Sequence, residues 1–171
     1  MNTQPVIRRA AAADIPAIVR YNIALALETE GKELDEATVT AGVSYFLAHP
    51  EFGFYIVAEI DGEAAAQTMI TYEWSDWRNG VIWWLQSVYV GKSHRRKGLY
   101  RSLYEFVKSA AQQDGGVREL RLYVYDKNAA AQRTYEAVGM ERSHYLLYEA
   151  EVQAAGGTSL FTMRDRFEQM R

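Results

Sequence analysis

The chain has 171 residues, 49% hydrophobic and 24% charged, with a net charge of −3. That length and balance suit one soluble domain with a sizeable core. No cysteine is present, which excludes disulfides, thiolate metal sites and a cysteine nucleophile and fits a reducing cytoplasm.

His49, His94 and His144 show no metal spacing, so no metal is expected. The opening residues MNTQPVIRRA lack the apolar core of a signal peptide, and no apolar run is long enough to cross a bilayer. A cytoplasmic protein with no membrane partner is the expectation. No internal repeat or low-complexity tract stands out.

In chain order, Val6 to Arg8 reads as a short strand. Asp14 is a good N-cap and Pro16 suits a first helical turn. Ile15, Ile18, Val19, Ile23, Ala26 and Leu27 then give helical spacing as far as Glu28, with Gly31 as terminator. Asp35 caps a second helix carrying Val39, Val43, Phe46 and Leu47, and His49-Pro50 stops it. Phe54 to Ile60 is a strand, and Asp61-Gly62 signals a hairpin into a strand from Glu63 to Glu73. Trp74 to Gly80 reads as a loop ending in the tight turn Asn79-Gly80, before a strand from Val81 to Val90.

After Gly91 comes the basic cluster His94-Arg95-Arg96-Lys97. Gly98 then opens a helix with Leu99, Leu103, Phe106, Val107 and Ala110 on one stripe. Asp114-Gly115-Gly116 breaks the chain. Glu119 to Tyr125 is a strand, Asn128 begins a helix that ends at Gly139, and Tyr145 to Val152 is a last strand. Residues 1–152 therefore form one domain. Residues 153–158 are a linker, and Leu160 to Met170 is a short helix or a partner-binding tail. The order β-α-α-β-β-β-α-β-α-β is mixed α/β, with meander strands before the basic turn and a crossover after it.

The basic turn is the centre of interest. Unpaired N–H groups and the positive end of the macrodipole at a helix N-terminus favour a phosphate or pyrophosphate, and His94 to Lys97 add charge. Gly91-Lys92-Ser93 is no P-loop, because Gln86 stands where its first glycine belongs. A solvated cap is the plain alternative. Nucleic-acid contact is another, but the net negative charge argues against it.

Two motifs here resemble those of the GNAT superfamily of acyl-CoA-dependent N-acetyltransferases. Arg95-Arg96-Lys97-Gly98-Leu99-Tyr100 is similar to its pyrophosphate loop R/Q-x-x-G-x-G/A, with Tyr100 in place of the small last residue. Asn128, Ala131, Tyr135 and Gly139 match N-x-x-A-x-x-x-Y-x-x-x-G-F, with Met140 in place of the last aromatic. The element order also matches that family's fold, a mostly antiparallel central sheet flanked by helices, over about Val6 to Val152.

The resemblance implies acetyl-CoA as cosubstrate, acetyl transfer to a primary amine in a ternary complex, and a small-molecule acceptor. It implies backbone contacts to the pyrophosphate from Arg96, Lys97, Gly98, Tyr100, Arg101 and Ser102, with Arg95 adding charge. Val88 and Val90 lie on the strand that bulges in the family, Asn128 faces the pantetheine arm, and Tyr135 is placed to protonate the leaving thiolate.

Glu73 is the first candidate for general base, through water. Glu28, Glu30 and Asp76 are acidic residues where the acceptor pocket is expected. Trp74 or Trp77 is available to wall that pocket by cation–π contact, or to close a homodimer seam. A non-catalytic acyl-CoA-binding module is the alternative; it needs neither Tyr135 nor a base.

Overall fold

The computed structural model describes residues 4–152. The expected linker and tail at 153–171 lie outside them. The chain divides into two compact units, residues 1–141 and 142–171.

The first unit contains β1 (Val6–Arg9), α1 (Ile15–Glu30), α2 (Glu36–Ala48), β2 (Gly53–Ile60), β3 (Glu63–Ser75) and β4 (Gly80–Val90). It continues with α3 (Leu99–Asp114), β5 (Val117–Arg121) and α4 (Ala129–Glu136). The strands form one sheet in sequential order; β1 to β4 are antiparallel and β5 runs parallel to β4. This is the mixed, mostly antiparallel fold expected from the element order. In the second unit, residues 142–152 form no strand, which corrects the expectation for Tyr145 to Val152. Apolar alternation makes a segment eligible for a sheet, but only a ladder of hydrogen bonds makes it a strand.

Strand alternation sends side chains to two cores. Phe54, Ile56 and Ala58 of β2 join Ile70, Trp83 and Leu85 under α3, which contributes Leu99, Leu103 and Val107. Tyr55 and Val57 face the other way, onto Ile18 and Val19 of α1 and Val43 of α2. The buried stripe of α3 is rotated from its expected position. Tyr100, Tyr104 and Ala111 are buried on it, whereas Phe106 is 37% exposed.

The local signals mostly work as read. Asp35 caps α2, accepting the Thr38 N–H at 2.8 Å. Gly31 ends α1 in the left-handed conformation, and Asp61-Gly62 makes the hairpin turn with φ of 52° and 84°. Asp14 differs from the expected cap. Its carboxylate accepts from the Ala11 N–H at 2.7 Å and from Arg8 at 2.7 and 3.0 Å, and caps no α1 amide. The Arg8 guanidinium holds this carboxyl below its usual range.

Gly53 has φ of +146°, and a Cβ there would lie 1.8 Å from the Ile70 carbonyl oxygen. β2 and β3 therefore pair closely only with glycine at this position. Gly53→Ala is expected to lower unfolding stability by about 2–3 kcal/mol in urea denaturation, with the fold retained. An unchanged midpoint would show that the strand pair relaxes freely.

Candidate active site at the split between β4 and β5

The β3–β4 ladder breaks between Gln67↔Tyr89 and Met69↔Gln86, so β4 carries one extra residue there. Ser87, inside that break, has φ of 48°. A non-glycine residue in this region costs about 1–2 kcal/mol. The result is a β-bulge in mid-strand, a device that bends a strand and interrupts its pairing.

On its other edge, β4 pairs with β5 only from Val81 to Trp84. Beyond Trp84 the two parallel strands part. This also explains why β5 stops at Arg121 rather than continuing to Tyr125: β4 has bent away, and Tyr123 and Tyr125 are exposed. Val88 and Val90 sit in the unpaired stretch and pack partly against the α3-side core.

β4 leads into a short 3-10 turn, Lys92–His94, and then into α3. Arg96 and Gly98 both have positive φ, 60° and 78°. Nothing lies within 4 Å of a Cβ built on Gly98, so its backbone conformation rather than lack of space calls for glycine. The Ser102 N–H already donates to the Gly98 carbonyl at 3.1 Å. The open donors at the helix start are therefore those of residues 98–101, and the expected Ser102 amide is not among them. Arg96 and Lys97 are exposed and make no ion pair among the described residues.

Arg95 is placed differently from its expected role. Its guanidinium pairs with Glu28 at 2.7 Å, donates to the Val90 carbonyl at 2.9 Å and lies 5.2 Å from the Tyr89 ring centre. Glu28 also accepts from the Tyr89 hydroxyl at 2.7 Å and faces Lys92 at 3.4 Å. Burial pushes the Glu28 carboxyl up, but hydrogen bonds from Arg95, Tyr89 and Lys92 outweigh it and hold it below its ordinary value. Burial and Glu28 together push the Tyr89 phenol up to about 12. Glu28 thus fastens the end of α1 to the basic turn. Glu30 stands apart from this cluster, paired with Lys32 at 2.5 Å.

Tyr100 occupies the position where a small residue was expected, but its side chain turns into the core, 5.4 Å from the Tyr135 ring, edge to face. It leaves the outer side of the turn open. Burial pushes the phenols of both Tyr100 and Tyr135 up. The Tyr100 hydroxyl is buried without a partner among the described residues. Arg101 donates to the Ala137 carbonyl at 3.0 Å, tying α3 to the end of α4. The Asn128 side chain caps α4 by accepting the Ala131 N–H at 3.1 Å. The two motifs therefore meet through Tyr100–Tyr135 and Arg101–Ala137.

Glu73 lies opposite Ile82, five residues before Ser87 and so about 16 Å from the bulge along the strand. Its carboxylate accepts from the Trp84 indole at 2.5 Å and from Arg121 at 3.3 Å. On the same face, Gln86 donates to Thr71 at 2.5 Å and accepts from Tyr123 at 3.2 Å. Gln86, Thr71 and Tyr123 were missed in the sequence; Gln86 and Thr71, polar residues in apolar strands, were the available signal. Trp74 points to the opposite face from Glu73 by strand alternation and is 63% exposed. Asp76 and the 87% exposed Trp77 lie in the turn at the far end of β4, about 23 Å from Ser87 along the strand. The structure does not bring these three to the bulge.

Glu28→Gln is expected to lower stability by about 1–2 kcal/mol at pH 7. The folded-state carboxyl is depressed, so its contribution is present above the unfolded pKa and is lost as pH falls through the lower folded value. Urea melts of both proteins between pH 7 and pH 3 should converge; a constant gap would remove the ionised carboxylate from this account.

The acetyltransferase (GNAT) family model matches residues 21–140. A possible acetyltransferase from Clostridium difficile 630 is 44% identical, with a TM-score of 0.82 over 87% of this chain and 98% of that one. A predicted acetyltransferase from Clostridium acetobutylicum, solved with acetyl-CoA, has a TM-score of 0.70 at 16% identity over 86% and 96% of the two chains. An aminoglycoside antibiotic 6'-N-acetyltransferase from Acinetobacter haemolyticus has a TM-score of 0.67 at 17% identity over 86% and 99%. No curated protein matches. The family match, spanning the bulge, the basic turn and α4, makes this chain a member of the GNAT acetyltransferase family.

Proposed function

We propose that the protein transfers the acetyl group of acetyl-CoA to a primary amine of a small acceptor, by direct attack in a ternary complex. The observation that carries this reading is the split at Trp84: a bulged β4, unpaired on its β5 edge, leads through the Lys92–His94 turn into a helix start with open amides. Residues 98–101, with Arg96 and Lys97, suit the pyrophosphate. The free edge of β4 at Val88 and Val90 suits the pantetheine amides and the thioester. The acetyl-CoA of the Clostridium acetobutylicum structure and the amine acceptor class of the Acinetobacter haemolyticus enzyme agree with this reading.

In the reaction the amine nitrogen forms a bond to the acetyl carbon, and the carbon–sulfur bond breaks. Negative charge gathers on the carbonyl oxygen, where the Val88 N–H is the proposed donor. A phenol is protonated at neutral pH and burial pushes that of Tyr135 further up; its hydroxyl has no partner among the described residues, so it is the proposed proton donor to the departing thiolate. The amine must also lose a proton. Direct contact with Glu73 is too far, so the proposed route is through water past Gln86, Thr71 and Trp84, which line the same face.

The test is thiol release from acetyl-CoA across a panel of small primary amines. With no cysteine in the chain, released CoA is the only thiol counted. Tyr135→Phe should lower kcat by about a hundredfold and leave the acetyl-CoA Kd within about twofold. Equal kcat values would remove Tyr135 from the chemistry. Tight acetyl-CoA binding without release for any amine would make the domain a binding module.

A further inference from the structure

The β4 bulge is held from behind by side chains. The Gln86 carbonyl accepts from the Thr68 hydroxyl at 3.2 Å, and the Ser87 carbonyl accepts from Gln67 Nε2 at 3.3 Å. Gln67 is 0% exposed and Thr68 1% exposed. Gln67 Nε2 also donates to Asn22 Oδ1 of α1 at 2.7 Å, and Asn22 Nδ2 donates to the Tyr55 hydroxyl of β2 at 3.2 Å. The Ser87 side chain in turn acts on the Tyr55 hydroxyl. The chain of contacts closes on itself: Ser87, Gln67, Asn22, Tyr55 and back to Ser87, drawn from β4, β3, α1 and β2.

Two features show that this ring serves more than packing. Ser87 holds a left-handed backbone that a serine leaves readily unless something retains it. Gln67 Oε1 is buried with no partner among the described residues, a cost that a leucine of similar size would avoid. What leucine lacks is the Nε2 that reaches both the Ser87 carbonyl and Asn22. The amide orientation follows from the same contacts, since the flipped amide would set an oxygen against two acceptors.

We infer that Gln67 is a positioning residue for acyl-CoA, holding the Ser87 bulge through this ring in the shape that receives the thioester. The inference rests on the proposed acetyl-CoA site. It assigns Asn22 and Tyr55 as supports of that shape, so α1 and β2 act on the cosubstrate without touching it.

The experiment is calorimetric titration with acetyl-CoA of the parent, Gln67→Leu and Gln67→Leu combined with Ser87→Gly, with thermal melts to confirm folding. Gln67→Leu should bind about tenfold or more weakly. Adding Ser87→Gly should recover most of the loss, because glycine adopts the positive φ without a ring to hold it. A purely structural role predicts the opposite, since a mid-strand glycine subtracts further stability. Tyr55→Phe opens the ring while keeping its aromatic body. It should weaken binding about threefold, again recovered by Ser87→Gly, and it carries the test if Gln67→Leu does not fold. Unchanged affinity in the folded variants, or a loss that Ser87→Gly does not recover, overturns the inference alone. A parent that binds no acetyl-CoA overturns the reading of the site and this inference with it.

Discussion

One residue in an unfavourable backbone conformation governs the centre of this molecule. With Ser87 left-handed, β4 cannot stay in register with β3, and it cannot continue beside β5. A regular sheet would have satisfied every backbone group at this point and left nothing for a ligand. The bulge gives up part of that pairing, and the fold makes the loss good from the rear with the side chains of Gln67 and Thr68. The strand is therefore irregular and yet tightly specified.

The basic turn shows a similar division of labour. Four adjacent cationic or titratable residues look interchangeable on paper, but Arg95 is occupied with Glu28 and the Val90 carbonyl, while Arg96 and Lys97 face solvent. Arg95 shapes the turn, and its neighbours supply the field. Tyr100 is shaped by the same logic. A bulky residue at a crowded turn is tolerated because the helix directs it inward, where it meets Tyr135.

Much of this was legible in the chain itself. Periodicity and turn chemistry located nine of the elements, because Asp35, Gly31, Asp61-Gly62 and Gly98 act through local backbone preferences. The two spaced motifs pointed to the basic turn and α4 as neighbours, and the structure joins them through Tyr100–Tyr135 and Arg101–Ala137. What escaped was set by register over long range. Nothing local to Trp74, Asp76 or Trp77 tells that they lie on the opposite face from Glu73 or at the far end of a long strand from the bulge. The link between Glu28 and Arg95 spans 67 positions. The Gln67 ring joins four separate segments, and its only trace in the sequence is a glutamine among alanines and an asparagine within an apolar helix. The strand expected at Tyr145 to Val152 failed for a related reason: alternation describes a surface, and pairing requires a neighbour.

The internal pairing of Arg95 has a consequence for how the turn meets an anion in solution. A guanidinium neutralised by a carboxylate 2.7 Å away contributes little to the field beyond a Debye length of roughly 10 Å at 0.1 M salt. Seen by an approaching polyanion, the turn is thus a weaker attractor than its four-letter sequence HRRK suggests, on a molecule whose net charge is −3. Capture then depends less on long-range steering than on fit once contact is made, and added salt should slow encounter only modestly.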